Sequence, residues 1–265
     1  MLIIGELINA SRKQIKEAIQ NQDEKAIIEI AKNQKEAGAD YIDVNAGVFV
    51  GKEIEYLPWL VKIVQENVDT PCCIDSPDPA AIEAALAVHK GTAFVNSISL
   101  EKDRYDKLLP VVKGSDCKVV ALCMSDKGMP ESTEDRFAIA KDLVESLEAE
   151  GVERDRIYVD PLVQPVSTNM NYGVALLKTI ERVMTELSGA HTVCGLSNIS
   201  FGLPVRKLLN QEFVTMAVYA GLDAVIMNPL DTRMVSNVHA ALALAGRDED
   251  CMDYLMAYRA EKLGL

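Results

Sequence analysis

Short apolar runs alternate with longer stretches whose apolar positions recur at helical spacing, and the alternation persists from one end of the chain to the other. The runs, rich in Val and Ile, fall at 2–9, 41–46, 72–75, 94–97, 118–125, 157–162, 192–197 and 224–228. Their hydrophobicity is continuous rather than every-other-residue, so each predicts a strand covered on both faces, as parallel strands are when helices wrap them. The stretches between carry helix punctuation. Ser11 with Gln14 reads as a capping box. Asp23 reads as the N-cap of a helix whose Ile27, Ile30, Ala31 and Gln34 share a face and which Gly38 ends. Asp78 followed by Pro79 reads as a cap with proline at the first helical position, ahead of Ile82 and Leu86. Segments 37–42 and 220–225 echo each other, each closing a helix on glycine and entering a strand.

Eight strand–helix units in 265 residues predict an α/β protein of the (β/α)8 TIM-barrel class, one domain over residues 1–265. No linker or low-complexity tract interrupts it. The first strand-to-helix turn, Glu6-Leu7-Ile8-Asn9-Ala10-Ser11, lacks the GxGxxG of a dinucleotide-binding sheet.

Charge and cysteine usage narrow the function. With 27 basic and 40 acidic residues the net charge is −13, which argues against a nucleic-acid partner. Residues 1–10 lack a basic segment and a cleavage site, and no apolar run reaches the ~20 residues of a membrane span. A cytoplasmic protein with no membrane partner is expected. The six cysteines form no CxxC, and five lie in or beside the apolar runs, so they read as core thiols. His89, His191 and His239 are far apart, two of them in helical stretches, and no bound metal is expected.

A barrel gathers its chemistry at the carboxyl ends of its strands. Those ends read Glu6 and Asn9, Asp43 and Asn45, Asp75, Asn96, Ser125 and Asp126, Asp160, Asn198, and Asn228. Asp and Asn also favour turns and helix caps, which is the plainer reading of each alone. It fits Asp75 poorly, because Asp78 already caps the next helix. It also fits Asp160 poorly, since Pro161 and a polar loop at 164–171 follow it. Asn96 and Asn198 sit in mostly apolar runs. A ring of amides and carboxylates without clustered Lys or Arg suits a neutral heterocycle rich in N–H donors, a pterin among others.

The segments Tyr41-Ile42-Asp43-Val44-Asn45-Ala46-Gly47, Ile74-Asp75-Ser76, Asn96-Ser97-Ile98-Ser99, Val159-Asp160-Pro161-Leu162-Val163-Gln164-Pro165 and Gly195-Leu196-Ser197-Asn198-Ile199-Ser200-Phe201-Gly202-Leu203-Pro204, with Met1 to Glu6 before them, resemble the methyltetrahydrofolate:corrinoid protein methyltransferases. The likeness runs end to end and extends to the wider pterin-binding barrels. It implies that Asp75, Asn96 and Asp160 hold the pterin, that Asn198 reaches N5 as the catalytic residue, and that Arg206 and Phe201 lie toward the aminobenzoyl side. It further implies 5-methyltetrahydrofolate as methyl donor, a corrinoid (cobalamin) carried by a partner protein, a homodimer, and a place in one-carbon metabolism. Two alternatives stay open: a dihydropteroate synthase-like enzyme, and a non-catalytic pterin-binding module that delivers folate. The first needs a diphosphate site, and no paired cationic motif stands out near the last strands. Loops 125–131 and 164–173 read as walls of the folate or docking surface, or as solvated connectors. The stripe Tyr254-Leu255-Met256-Ala257-Tyr258 reads as core or dimer contact.

Overall fold

In the computed structural model, which describes residues 1–264, the eight runs become eight parallel strands closed into a barrel in chain order. They are β1 (Leu2–Asn9), β2 (Tyr41–Asn45), β3 (Cys72–Asp75), β4 (Phe94–Leu100), β5 (Lys118–Ser125), β6 (Ile157–Asp160), β7 (His191–Gly195) and β8 (Ala224–Met227). Pairing of β1 with both β2 and β8 completes the ring. Outside lie α1 (Lys13–Gln20), α2 (Glu24–Glu36), α3 (Glu53–Asn67), α4 (Pro79–Leu86), α5 (Lys102–Lys113), α6 (Thr133–Ala149), α7 (Tyr172–Glu186), α8 (Arg206–Tyr219), α9 (Thr232–Leu244) and α10 (Met252–Arg259). None of the described helices is long and apolar enough to cross a membrane.

Because strand side chains alternate, each continuous apolar run feeds two cores. Outward residues such as Ile42, Val44, Ile74, Val95, Val119 and Val159 pack under the helices against Leu57, Leu60, Ile82 and Leu143. Inward residues Ile4, Tyr41, Cys73, Phe94, Val120, Tyr158, Val193 and Ala224 fill the barrel. Lys118 closes its amino-terminal end, with Nζ 5.7, 5.4 and 5.4 Å from the rings of Tyr41, Phe94 and Tyr158. One inward step toward the carboxyl end, apolar side chains give way to Asp43 on β2, Asp75 on β3, Asn96 on β4 and Asp160 on β6. Five cysteines are buried and Cys251 is exposed.

Strand β1 reaches this layer through a register shift between Gly5 and Ile8. Buried Gln34 of α2 fills the space behind it and accepts the Leu7 N–H at 3.0 Å. A Cβ on Gly5 would stand 2.4 Å from Gln34 Oε1, so any larger residue there would have to displace the buried Gln34 amide from the Leu7 N–H. The irregular stretch carries Glu6 at the mouth.

The caps at Asp23 and Asp78 form as the sequence predicts, accepting from Ala26 N at 3.2 Å and Ala80 N at 3.0 Å. The Ser11 capping box does not. Asn9 Oδ1 takes the Ser11 N–H at 2.9 Å, and α1 begins only at Lys13 with no side-chain cap. His89 lies past the end of α4 rather than within a helix, and its Nε2 accepts the Cys72 N–H at 2.9 Å. Strand β6 ends at Asp160, two residues early, because Leu162 adopts φ +64°. On α10 only Ala257 is buried, so the Tyr254–Tyr258 stripe is surface, not core.

Loop 161–171 is anchored by a buried cation. Arg136 of α6 is fully buried and donates to Pro161 O at 3.1 Å, Ser132 O at 3.1 Å and Gln164 Oε1, with its guanidinium 5.4 Å from the Tyr172 ring. Arg136→Met would leave these acceptors unpaired, and denaturant unfolding should report a loss of about 2–4 kcal/mol. A loss below about 0.5 kcal/mol, the scale of a neutral surface change, would show that the loop does not depend on this residue.

Candidate functional site

A polar cavity of about 370 Å³ opens at the carboxyl end of the barrel. Its walls are Glu6, Asn9, Ser11, Arg12, Asp43, Asp75, Asn96, Asp160, Gly195, Ser197, Asn198 and Ile226. A second cavity of about 310 Å³ shares Glu6, Arg12 and Ser197 with it and continues past Arg206, Lys207, Asn210 and Asp231 toward β8. The two form one trough, within the size range of small-ligand sites.

Its deep wall is acid. Asp75, on the end of β3, accepts from Asn45 Nδ2 at 2.8 Å, and burial raises its carboxyl against the opposing pull of that hydrogen bond and of Arg104. Asp160 accepts the Leu162 N–H at 2.8 Å, and burial pushes its carboxyl up to about 7. Asp43 is buried with Oδ1 unpartnered, and its carboxyl is held well above the usual range by burial and by Asp75. Burial also raises Glu6, partly offset by Arg12 and Arg206. Asn96 pairs in register with Asp75 across β3 and β4. Asn198 lies on a 3-10 turn, Leu196–Ser200, with its side chain exposed at the edge of the cavity.

The chain's sequence profile matches the description "Pterin binding enzyme" over residues 5–228. The chain is also 40% identical to the methylcorrinoid:tetrahydrofolate methyltransferase of Eubacterium limosum, over all of this chain and 98% of that protein. It belongs to the pterin-binding enzymes, in the methyltransferase group. Methionine synthase of Mycobacterium tuberculosis is 28% identical over 86% of this chain, which spans only 20% of that longer protein. Among solved structures, Burkholderia cenocepacia dihydropteroate synthase complexed with 7,8-dihydropteroate superposes with a TM-score of 0.71. It covers 94% of this chain and 93% of the other at 18% identity, a likeness of fold.

Of the site residues expected from sequence, Asp75, Asn96 and Asp160, expected to hold the pterin, and Asn198, expected as the catalytic residue, line one cavity in this family member. Arg206 lines the adjoining one, held by Ser200 Oγ at 3.0 Å and Ser197 O at 2.6 Å. Phe201 lines neither: it is 62% exposed on the rim, with the Arg206 guanidinium 5.8 Å from its ring. The turn reading does hold at Asn228, whose Oδ1 accepts the Leu230 N–H at 2.9 Å, and at Asn9. Loop 125–131 borders a separate cavity of about 640 Å³, not the trough.

Sequence reasoning named Glu6 and Asp43 among the strand ends without choosing them, and it missed Arg12 and Ser197. It also found no cationic cluster near the last strands, whereas barrel closure creates one by bringing Arg12 from the end of β1 to Arg206 and Lys207. Carboxylates attend two of these cations: Glu6 stands 3.4 Å from Arg12 and Asp231 3.8 Å from Lys207.

The raised carboxyl of Asp160 has a consequence for stability. Its neutral form is favoured in the folded state, so its contribution is fully present below the unfolded value of about 3.9 and is lost as pH rises through about 7. That window is worth at most about 4 kcal/mol, lowered by solvent in the cavity. Asp160→Asn keeps an acceptor for Leu162 and cannot ionise, so denaturant unfolding at pH 5 and pH 8 should show a smaller decline than in the wild type. Parallel declines in the two proteins would remove Asp160 as the source.

Proposed function

We propose that this protein moves a methyl group between N5 of tetrahydrofolate and the cobalt of a corrinoid held by a second protein. The observation that carries this reading is the combination of end-to-end similarity to the Eubacterium limosum enzyme with an open acid-and-amide trough at the barrel mouth. Asp75, Asn96 and Asp160 are matched to a heterocycle that presents N–H donors beside acceptor atoms. The adjoining cavity, with Arg12, Arg206 and Lys207, suits the anionic aminobenzoylglutamate end.

The chemistry centres on charge at N5. When the methyl group arrives from the corrinoid, the N5 lone pair forms the new C–N bond, the Co–C electron pair stays on cobalt, and N5 then gives up its proton. In the other direction N5 must gain positive charge before the C–N bond breaks, because an amide anion is a poor leaving group. A group that stabilises the shared transition state serves both directions, and only stabilisation stronger there than in the ground state raises the rate. Asn198 fits this role: its amide stands at the open edge of the cavity and can donate to N5 or hold a water that carries the proton.

The corrinoid is a substrate too large for a sealed pocket, and the rim is suited to a protein partner. Val50, Met129, Met170, Phe201 and Val205 are exposed apolar side chains on loops that follow strands at this end. Such loops present an apolar ring around a polar well, the arrangement of a docking surface. A cytoplasmic setting and a role in one-carbon metabolism belong to the same reading. So does a homodimer, for which the groove of about 700 Å³ lined by Val174, Leu177, Met216, Tyr219 and Leu244 on α7, α8 and α9 is the apolar surface to bury.

Two outcomes are expected. With saturating folate, Asn198→Ala should lower single-turnover methyl transfer, followed by cobalt absorbance in stopped flow, by about 10²–10³-fold while weakening folate binding less; a wild-type rate would remove Asn198 from the mechanism. Tyr219→Glu should shift sedimentation toward the monomer, and an unchanged dimer would place the interface elsewhere.

A further inference from the structure

One carboxyl in the acid layer is not used by the folate contacts proposed for Asp75, Asn96 and Asp160. Asp43 is 2% exposed, yet its Oδ1 has no hydrogen-bond partner and the residue lines the central cavity. Acids and weak donors face it on every side: Glu6 from β1, Cys73 and Asp75 from β3, Asn96 from β4 and, lining the same cavity, Asp160 from β6. Glu53 of α3 adds to the negative field at Asp75. The nearby cations are engaged elsewhere. Arg12 stands 3.4 Å from Glu6, and Arg104 donates to the backbone carbonyls of Ser97, Pro77 and Ser76 at 2.7, 2.9 and 3.1 Å.

Two buried carboxyls on adjacent strands with no cation between them cannot both carry charge. Asp75 has a committed donor, Asn45 Nδ2 at 2.8 Å, and Arg104 within electrostatic reach. Asp43 has neither. The charge therefore settles on Asp75 and the proton on Asp43.

We propose that Asp43 is a further ligand-binding residue of this site, a neutral acid that keeps Asp75 as the anionic acceptor and offers its own O–H to an acceptor atom of the bound ring. The proposal rests on the folate reading for its ligand but not for its proton. The buried, unpartnered Oδ1 is then accounted for as the carbonyl oxygen of a neutral acid, which costs less unpaired than a carboxylate oxygen, while the O–H on the other oxygen meets its acceptor only when the ring fills the cavity that Asp43 lines.

Two measurements test this. The first needs no ligand: the infrared difference between wild type and Asp43→Asn at neutral pH should contain the carbonyl band of a protonated carboxylic acid. Absence of that band overturns the proposal. The second is anaerobic titration with tetrahydrofolate. Asp43→Ala should lose about tenfold in affinity, and Asp43→Asn, which keeps a neutral donor, should restore most of it. Wild-type affinity should fall on the alkaline side, where Asp43 ionises beside Asp75, and Asp43→Asn should lack that limb. Equal weakening of both variants at every pH would mean that Asp43 acts as a charged acceptor, and would overturn the proposal. If the wild type does not bind tetrahydrofolate at all, the folate reading fails, and the infrared band alone decides where the proton resides.

Discussion

Burial of carboxyl groups in the last inward layer of the barrel governs the rest of the site. A parallel barrel offers its interior side chains no bulk water, and this one fills its lower interior with Ile4, Phe94, Tyr158 and their neighbours above the Lys118 floor. The acids on β2, β3 and β6 therefore rest on an apolar plug and gain solvent only through the mouth. No cation is set among them and each has few internal donors, so each is costly as an anion until something brings further hydrogen-bond donors. A donor-rich, uncharged heterocycle relieves that cost without the desolvation penalty of a cationic ligand. The match of such a layer to the proposed pterin thus rests on what the layer lacks as much as on what it contains.

Closure of the barrel supplies the other half of the trough. Pairing of β1 with β8 places the first strand beside the last, so Glu6 and Arg12 share a wall with Arg206, Lys207 and Asp231. Polarity changes along the trough accordingly, from buried acids at the barrel axis to mixed charge between β1 and α8. A ligand with a neutral head and an anionic tail is oriented by that gradient before any single contact is made.

The eight strands were legible because a strand covered on both faces must be largely apolar, and the ends of β3, β5, β6 and β8 follow from the first polar residue at the carboxyl end. Asp75 and Asp160 stood out because nearby residues left them without a capping role. Glu6 and Asp43 did not, since one strand-end acid resembles another until burial is known, and burial depends on the plug beneath. The Arg12, Arg206 and Lys207 cluster was not legible because most of the chain separates Arg12 from the adjacent Arg206 and Lys207, and two neighbouring cations alone read as a solvated helix start. The Ser11 capping box failed for a local reason: Asn9, two residues earlier, already holds the Ser11 N–H. Nearest-residue competition of this kind is decided by backbone geometry that the residue pattern does not contain.

The division between deep acids and an amide at the edge also fits a reaction that runs through charge at a single nitrogen. An acid at the position of Asn198, open to solvent, would ionise at neutral pH and could not donate, and its charge would repel an electron-rich cobalt nucleophile approaching from the mouth. An amide stays neutral at every working pH and keeps both a donor and an acceptor available as N5 changes from amine to ammonium. The acids lie deeper, where burial favours their neutral forms, and the proposed ligand would bring N–H groups to those that stay ionised. Depth in the barrel therefore separates the polar groups by what they do. In the proposed reading, the groups that recognise the ring are the buried ones, and the amide assigned to the reacting nitrogen is the one at the rim, where a large second substrate has access.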